Sequence, residues 1–138
     1  MNIIYTCNMD EIREDMLDGG FFAGWPNAPD TPAHLKLLCG SYRAYVAIDT
    51  VSHKVVGFIN AISDGVLSAY IPLLEVLPQY QGYGIGSKLV ELMLAALADL
   101  YMIDIVCDKN VQPFYAKMGA VNWTASIFRN YSAQSGKV

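Results

Sequence analysis

The sequence predicts a mixed α/β domain in which one strand-helix-strand unit interrupts a sheet otherwise built from hairpins. Three observations point to it. Residues 42–48 and 55–62 are rich in β-branched and aromatic side chains and are parted by the polar segment 49–54, a hairpin pattern. From Gly84 onward Ile85, Leu89, Leu92, Met93, Ala96 and Leu100 recur at helical spacing, while Ser87, Lys88, Glu91 and Asp99 lie mostly off that stripe. Strand-like runs at 67–77 and 103–107 flank this helix.

The remaining elements follow in order. Residues 3–5 are a short strand candidate, and Asn8 followed by Glu11 resembles a capping box opening a helix through about residue 17, stopped by Gly19 and Gly20. Residues 21–30, rich in Gly, Pro and aromatics, read as an ordered loop whose rings are buried or cover a ligand. Thr31 as N-cap, Pro32 at the first helical position and Gly40 after the last turn bracket a second helix, with Leu35, Leu37 and Leu38 facing inward. Asp64 and Gly65 turn the chain into the strand at 67–77. Pro72 inside that strand has no N–H for a ladder, so it marks an edge, a bulge or a place where neighbouring strands part. Residues 111–118 form a short helix ended by Gly119, and residues 123–131 are expected to return as the last strand.

At 138 residues the chain fits a single domain, 1–138, with a core that needs neither metal nor disulfide. Hydrophobic residues at 54% against 16% charged argue for a well-buried globule rather than a disordered chain. The net charge of −4, from nine Lys and Arg against thirteen Asp and Glu with no basic run, disfavours nucleic acid as a partner. Its diffuse field would attract a cationic amine only weakly. Cys7, Cys39 and Cys107 are odd in number, sit among apolar residues and match no metal spacing, so buried thiols in a reducing compartment are expected and no metal is. Residues 3–5 are too short an apolar run for a signal peptide, and Asp64, Glu75, Glu91 and Asp99 interrupt the apolar stretches, so a soluble, cytoplasmic protein with no membrane association is expected.

The chemistry gathers at Gln81, Gly82, Tyr83, Gly84, Ile85 and Gly86, between a strand and a helix. Successive backbone N–H groups there converge on one spot, and the helix dipole adds partial positive charge, so a pyrophosphate fits. Glycines keep side chains out of the way of those donors and allow positive φ. An ordinary glycine-rich turn is the alternative. A dinucleotide fingerprint fails because its third glycine would be Ser87 or Leu89, although Asp104 lies at about the distance of its ribose partner. A P-loop fails because Gly86, Ser87 and Lys88 stand in the wrong order.

With Gln81, Gly84 and Gly86 the chain resembles the GNAT superfamily of acetyltransferases, whose pyrophosphate loop reads Gln or Arg, two residues, Gly, one residue, then Gly or Ala. Phe114 and Tyr115, followed by Gly119 and Ala120, resemble the family's late Phe-Tyr, three residues, Gly-Phe signature, with Ala120 in place of the Phe. The resemblance implies a GNAT-type fold with a mixed, mostly antiparallel sheet of six to seven strands flanked by helices and splayed at the fourth and fifth strands. It implies acetyl-CoA as cofactor, with Leu74 and Val76 along the pantetheine and acetyl group and residues 82–87, Tyr83 and Ser87 among them, around the pyrophosphate. The family often carries an Asn seven residues before the tyrosine. Here Asp108 stands there, and Asn110 is the nearest asparagine.

Acetyl transfer to an amine requires a neutral nucleophile, support for the oxyanion and a proton for the departing thiolate. A backbone N–H of residues 74–76 would meet the oxyanion. Tyr115, with a reference pKa of about 10 against roughly 8.5 for a thiol, is the candidate acid, or else a core ring behind Phe114. Glu75, the only carboxylate in residues 70–78, is the candidate base, unless strand alternation turns it toward substrate or solvent. Phe21, Phe22, Trp25 and Tyr70 are candidates for the acceptor site, with core packing as the alternative for the loop rings. Asp64 and Tyr70 are further base candidates, with a structural role as the alternative for each, and His34 and His53 are expected at the surface. The acceptor is a small-molecule or peptide amine, a homodimer is possible, and a non-catalytic acetyl-CoA-binding sensor or regulatory module is the competing function.

Overall fold

The structure is a computed structural model and describes residues 1–137. Its strands are β1 (Ile3–Thr6), β2 (Arg43–Asp49), β3 (Lys54–Ser63), β4 (Ser68–Val76) and β5 (Met102–Ile105). Its helices are α1 (Thr31–Gly40), α2 (Ile85–Ala96) and α3 (Gln112–Ala116). The strands form one sheet in sequence order, β1-β2-β3-β4-β5. The first three pairings are antiparallel, whereas β4 and β5 run parallel, joined by α2 as their crossover. The fold class is thus the mixed, mostly antiparallel one expected.

Each face of the sheet carries its own core. Phe58, Val46 and Val55 pack with Leu17, Phe21, Phe22 and Leu38 on the face covered by α1. Ile59, Ala61, Ala69 and Ile71 pack with Leu89, Val90 and Met93 of α2 on the other. Gly57 permits the close approach of α2: a Cβ there would stand 3.3 Å from Ile85 and Leu89 side-chain atoms and from the Glu75 carbonyl.

The sequence expectations need five corrections. Residues 8–17 form two 3₁₀ turns, Met9–Glu11 and Glu14–Leu17, rather than one helix, because Ile12 between them adopts extended backbone and drops into the core. The N-cap of α1 is Asp30, whose carboxylate accepts the Ala33 N–H at 3.0 Å, one residue earlier than Thr31. His34 is 1% exposed rather than at the surface, since it shares the inward stripe of α1 with Leu38 one turn on. Cys7 and Cys39 are exposed and Cys107 half-buried, so the thiols do not form part of a buried set. Finally, residues 123–131 make no ladder pairing, and the sheet among the described residues has five strands rather than six or seven. Residues 119–133 are all exposed, so nothing lies beside that segment for it to pair with. No described helix is long and apolar enough to cross a membrane.

Candidate functional site

The site begins at Pro72. The β3–β4 register shifts between Asn60 and Ile62, leaving Ala61 opposite both Ile71 and Pro72, a bulge on β4. On its other side, β4 pairs with β5 only as far as Ile71 opposite Ile105. Pro72 therefore marks both a bulge and the point where two strands part, two of the three roles its missing N–H allows.

The bulge resets the alternation of β4. Ala69 and Ile71 face α2 before it, whereas Leu74 and Val76 do so after it, and Leu73 packs into the opposite core. The backbone follows suit. The Leu77 N–H donates to the Val56 carbonyl on β3 at 2.9 Å, so by alternation the N–H and C=O groups of Leu74 and Val76 point away from β3 into the parting. One of these carbonyls is covered by Gln81, whose Nε2 donates to Val76 O at 2.9 Å.

Beyond the 3₁₀ turn Pro78–Tyr80, Gly82 (φ 83°) and Gly84 (φ 82°) both hold left-handed backbone, which any side chain would strain. Gly84 is the N-cap of α2, and the first intrahelical bond runs from Lys88 N–H to Gly84 O at 3.0 Å. The N–H groups of Ile85, Gly86 and Ser87 have no partner within the helix and point outward from its positive end. Gly86 is of a different kind: its φ is ordinary, and a Cβ would meet Val76 and Phe114 atoms at an acceptable 3.7 Å.

These groups enclose a cavity of about 630 Å³ lined by Leu74, Val76, Gln81, Gly82, Gly84, Ile85, Gly86, Ser87, Asn110 and Tyr115, together with Tyr80, Val111 and Phe114. Ser87 and Phe114 carry it on into a second groove of about 570 Å³ beside Glu91, Leu94, Lys117 and Met118. Tyr115 is 8% exposed and meets Phe114 edge-on at 4.9 Å between ring centres. Burial, and secondarily the charge of Cys107, push its hydroxyl up to about 12, so it keeps its proton throughout the neutral range.

The other predicted residues lie elsewhere. Tyr83 is 66% exposed and outside the cavity lining. Glu75 points to the opposite face from Leu74 and Val76, and its two carboxylate oxygens lie 3.0 and 3.2 Å from the Phe22 nitrogen, whose N–H they accept. Burial raises the Glu75 pKa, and this hydrogen bond partly opposes the rise. Phe21 and Phe22 are buried in the core around Phe58, while Trp25 stays 40% exposed against Phe22. Tyr70 is half-buried and lies in register with Ile62 and Asp104. Asp64 caps its own turn, accepting the N–H groups of Val66, Leu67 and Ser68, which hold its carboxyl below the usual range. Among the described residues no cluster of His, Cys, Asp and Glu is placed to hold a metal ion.

Sequence reasoning missed Tyr80, Val111 and Phe114 in the lining. Tyr80 donates its hydroxyl to Asp49 Oδ2 at 2.7 Å, which fixes the ring where the loop leaves β4. Phe114 stands in the late Phe-Tyr motif, where only its neighbour Tyr115 carries a chemical expectation. Nothing in the local sequence marks Tyr80.

Known proteins share this fold. A family model described as an acetyltransferase (GNAT) domain matches residues 40–119. The crystal structure of a putative acetyltransferase from Deinococcus radiodurans R1 superposes with a TM-score of 0.94 at 38% identity, covering 99% of this chain and 94% of that one. A GNAT-family acetyltransferase from Streptococcus pneumoniae TIGR4 gives a TM-score of 0.71 at 31% identity, over 94% and 97% of the two chains. The chloroplastic GCN5-related N-acetyltransferase 2 of Arabidopsis thaliana is 38% identical over 68 residues, which is 48% of this chain and 26% of that protein. The chain covers only 26% and 39% of the lengths of two curated relatives it matches.

Proposed function

The chain belongs to the GNAT acetyltransferase family, and on that premise we propose that it transfers an acetyl group from acetyl-CoA to a primary amine. The observation that carries this reading is the meeting of two sets of unpaired backbone donors across one cavity: the start of α2 at Ile85, Gly86 and Ser87, and the β4 edge at Leu74 and Val76. The first suits a diphosphate, the second an amide-bearing arm that extends the sheet by a partial strand. Two left-handed glycines and the open space around them leave room for the phosphates. Acetyl-CoA supplies an activated acyl group and a thiolate leaving group.

The residues of the chain divide the remaining work. The backbone N–H groups of Leu74 and Val76 face the parting and would support negative charge on the acyl oxygen. Tyr115, protonated at neutral pH and on the cavity wall, would deliver the proton that the leaving sulfur needs. Glu75 lies on the other face of β4, beside the Phe21 and Phe22 loop, and there it would take up the proton released by the amine as the acceptor reaches through the parting beyond Pro72. Its raised pKa suits a group that must accept a proton near neutrality. Asn110 would add a polar contact to the cofactor, and Tyr70 and Trp25 would border the acceptor.

One observation favours a second reading, a module that binds acetyl-CoA without turnover: Phe21 and Phe22 are buried at 9% and 3% exposure and close the face where an acceptor would enter. The experiment that separates the two combines thermal-shift titration with acetyl-CoA and free-thiol release over a panel of amines, amino acids and peptides. Stabilisation with amine-dependent thiol release supports transfer. Stabilisation without release on any amine supports the sensor, and no stabilisation at all removes both.

A further inference from the structure

Residues 20–26 lie over the face of β4 that carries Glu75. Two left-handed glycines, Gly20 (φ 102°) and Gly24 (φ 86°), bracket Phe21 and Phe22, and a Cβ at either would meet nothing within 4 Å. Between them Phe22 holds φ 64°, an outlier for a bulky side chain, so the loop is kept in a conformation that its own backbone disfavours. Few bonds keep it there. Among the described residues, the Phe22 N–H to the two oxygens of Glu75, at 3.0 and 3.2 Å, is the only hydrogen bond joining residues 20–26 to another part of the chain.

The other anchor is the Phe22 ring. It stands 4.9 Å from the His34 ring and 5.9 Å from the Phe58 ring, centre to centre, with half-exposed Trp25 packed on it at 5.0 Å. His34 in this wall is 1% exposed, and its Nε2 has no hydrogen-bond partner. An unsatisfied nitrogen among rings adds nothing to stability, and a hydroxyl carried in by an occupant would satisfy it.

The nitrogen, Cα, Cβ and ring of Phe22 have the connectivity of a 2-arylethylamine: a nitrogen that donates to a carboxylate, and an aromatic ring two carbons away. We propose that Phe22 holds the acceptor's place, and that the acceptor is an amine bearing an aromatic ring two carbons from its nitrogen, which enters by displacing Phe22 about Gly20 and Gly24. This inference rests on the acetyl-transfer reading and names the substrate class for it. The acceptor's nitrogen replaces the Phe22 N–H at Glu75, and its ring replaces the Phe22 ring against His34 and Phe58. Exchanging one ring for another keeps the buried apolar area nearly constant, whereas a polyamine or an amino sugar would leave Phe58 facing water or polar groups. The loop therefore opens to aromatic amines and stays shut to polar ones. A free arylethylamine and the amino terminus of a peptide beginning with an aromatic residue share this skeleton.

The test uses a Trp123→Phe chain, in which Trp25 is the one remaining tryptophan and its emission reports whether Phe22 leaves its side. The chain is titrated with 2-phenylethylamine, a short peptide beginning with phenylalanine, spermidine and glucosamine, and free-thiol release is then measured for each with acetyl-CoA. A saturable change in Trp25 emission is expected with one or both aromatic compounds and with neither polar one, and kcat/KM for the aromatic acceptor should exceed that for the polar amines by at least about 100-fold. A response to 2-phenylethylamine alone assigns a free amine, and a response to the peptide alone assigns a peptide amino terminus. In a further Phe22→Gly variant, which has no ring to displace, the aromatic compound should bind about tenfold more tightly. Spermidine or glucosamine turned over as well as the aromatic compounds overturns the proposal and leaves acetyl transfer standing. A saturable Trp25 response without thiol release from any amine keeps the aromatic site and removes transfer. No Trp25 response to either aromatic compound overturns the proposal whatever the turnover, and so does a folded Phe22→Gly variant that binds them no more tightly. Should Phe22→Gly fail to fold, the titration of the chain that retains Phe22 decides alone.

Discussion

The carboxylate of Glu75 on β4 accepts the backbone N–H of Phe22, fifty-three positions earlier, through both oxygens at 3.0 and 3.2 Å. This bond holds the aromatic loop against the strand that borders the cavity, and Phe22 itself sits in left-handed backbone at φ 64°. The Glu75→Gln variant keeps an acceptor oxygen for Phe22 but cannot take a proton. Turnover is expected to fall by about 100-fold with the KM for acetyl-CoA unchanged. Because burial raises the Glu75 pKa, wild-type turnover should climb with pH through a value above the usual carboxylate range, and that limb should vanish in the variant. A drop in melting temperature with normal turnover per folded molecule would make Glu75 a structural latch only.

Gly84 and Gly86 look equivalent in the sequence and are not. At Gly84 the space is open but φ is 82°, so a side chain costs backbone strain of about 1–2 kcal/mol or shifts the loop. At Gly86 the backbone is ordinary and a methyl group meets its neighbours at 3.7 Å. Gly84→Val is expected to weaken acetyl-CoA binding by about tenfold or more, whereas Gly86→Ala should stay within about threefold of wild type. Isothermal titration of both variants checks the contrast, and equal losses would mean that space rather than φ governs the loop.

Tyr115 is held protonated by its surroundings, with a pKa of about 12 set mainly by burial. Tyr115→Phe preserves the ring against Phe114 and removes the proton. Thiol release is expected to slow by about 100-fold or more, with acetyl-CoA stabilising the variant as it does the wild type. Since the folded pKa is so high, no falling limb assignable to Tyr115 should appear below pH 11. A variant with undiminished turnover would return Tyr115 to the role of a core ring.

The glycine turn into α2 was legible because its requirement is local: glycines at a strand-to-helix junction leave a pattern within six residues. The face of Glu75 was not, because alternation assumes an unbroken strand. The bulge at Pro72 puts Ile71 and Leu74 on one face, a parity no counting from either end would give. The segment at 123–131 carried a true strand pattern, yet a strand exists only with a partner, and the rest of the described chain supplies none. His34 misled for a related reason. A histidine in a short helix reads as solvent-facing until the position of Leu38 fixes which stripe of α1 is buried.

That buried histidine has a measurable consequence. Its ring is enclosed by Phe21, Phe22 and Phe58 at 5.2, 4.9 and 4.4 Å between centres, and Nε2 has no hydrogen-bond partner. Burial lowers its pKa from 6.5 to about 4. Between those values the unfolded chain binds a proton that the folded one refuses. Stability from this group is therefore complete above pH 6.5 and is lost as pH falls toward 4, by about 3 kcal/mol in all. Glu75, with its raised pKa, works in the opposite direction over part of this window, so the comparison must be with His34→Phe, in which Glu75 is retained. Removing an unpartnered buried nitrogen while keeping an aromatic ring should leave the variant near wild-type stability at pH 7. Urea melts at pH 7 and pH 4.5 should then show the wild type losing more than the variant. Equal losses would mean that His34 takes up its proton inside the folded protein.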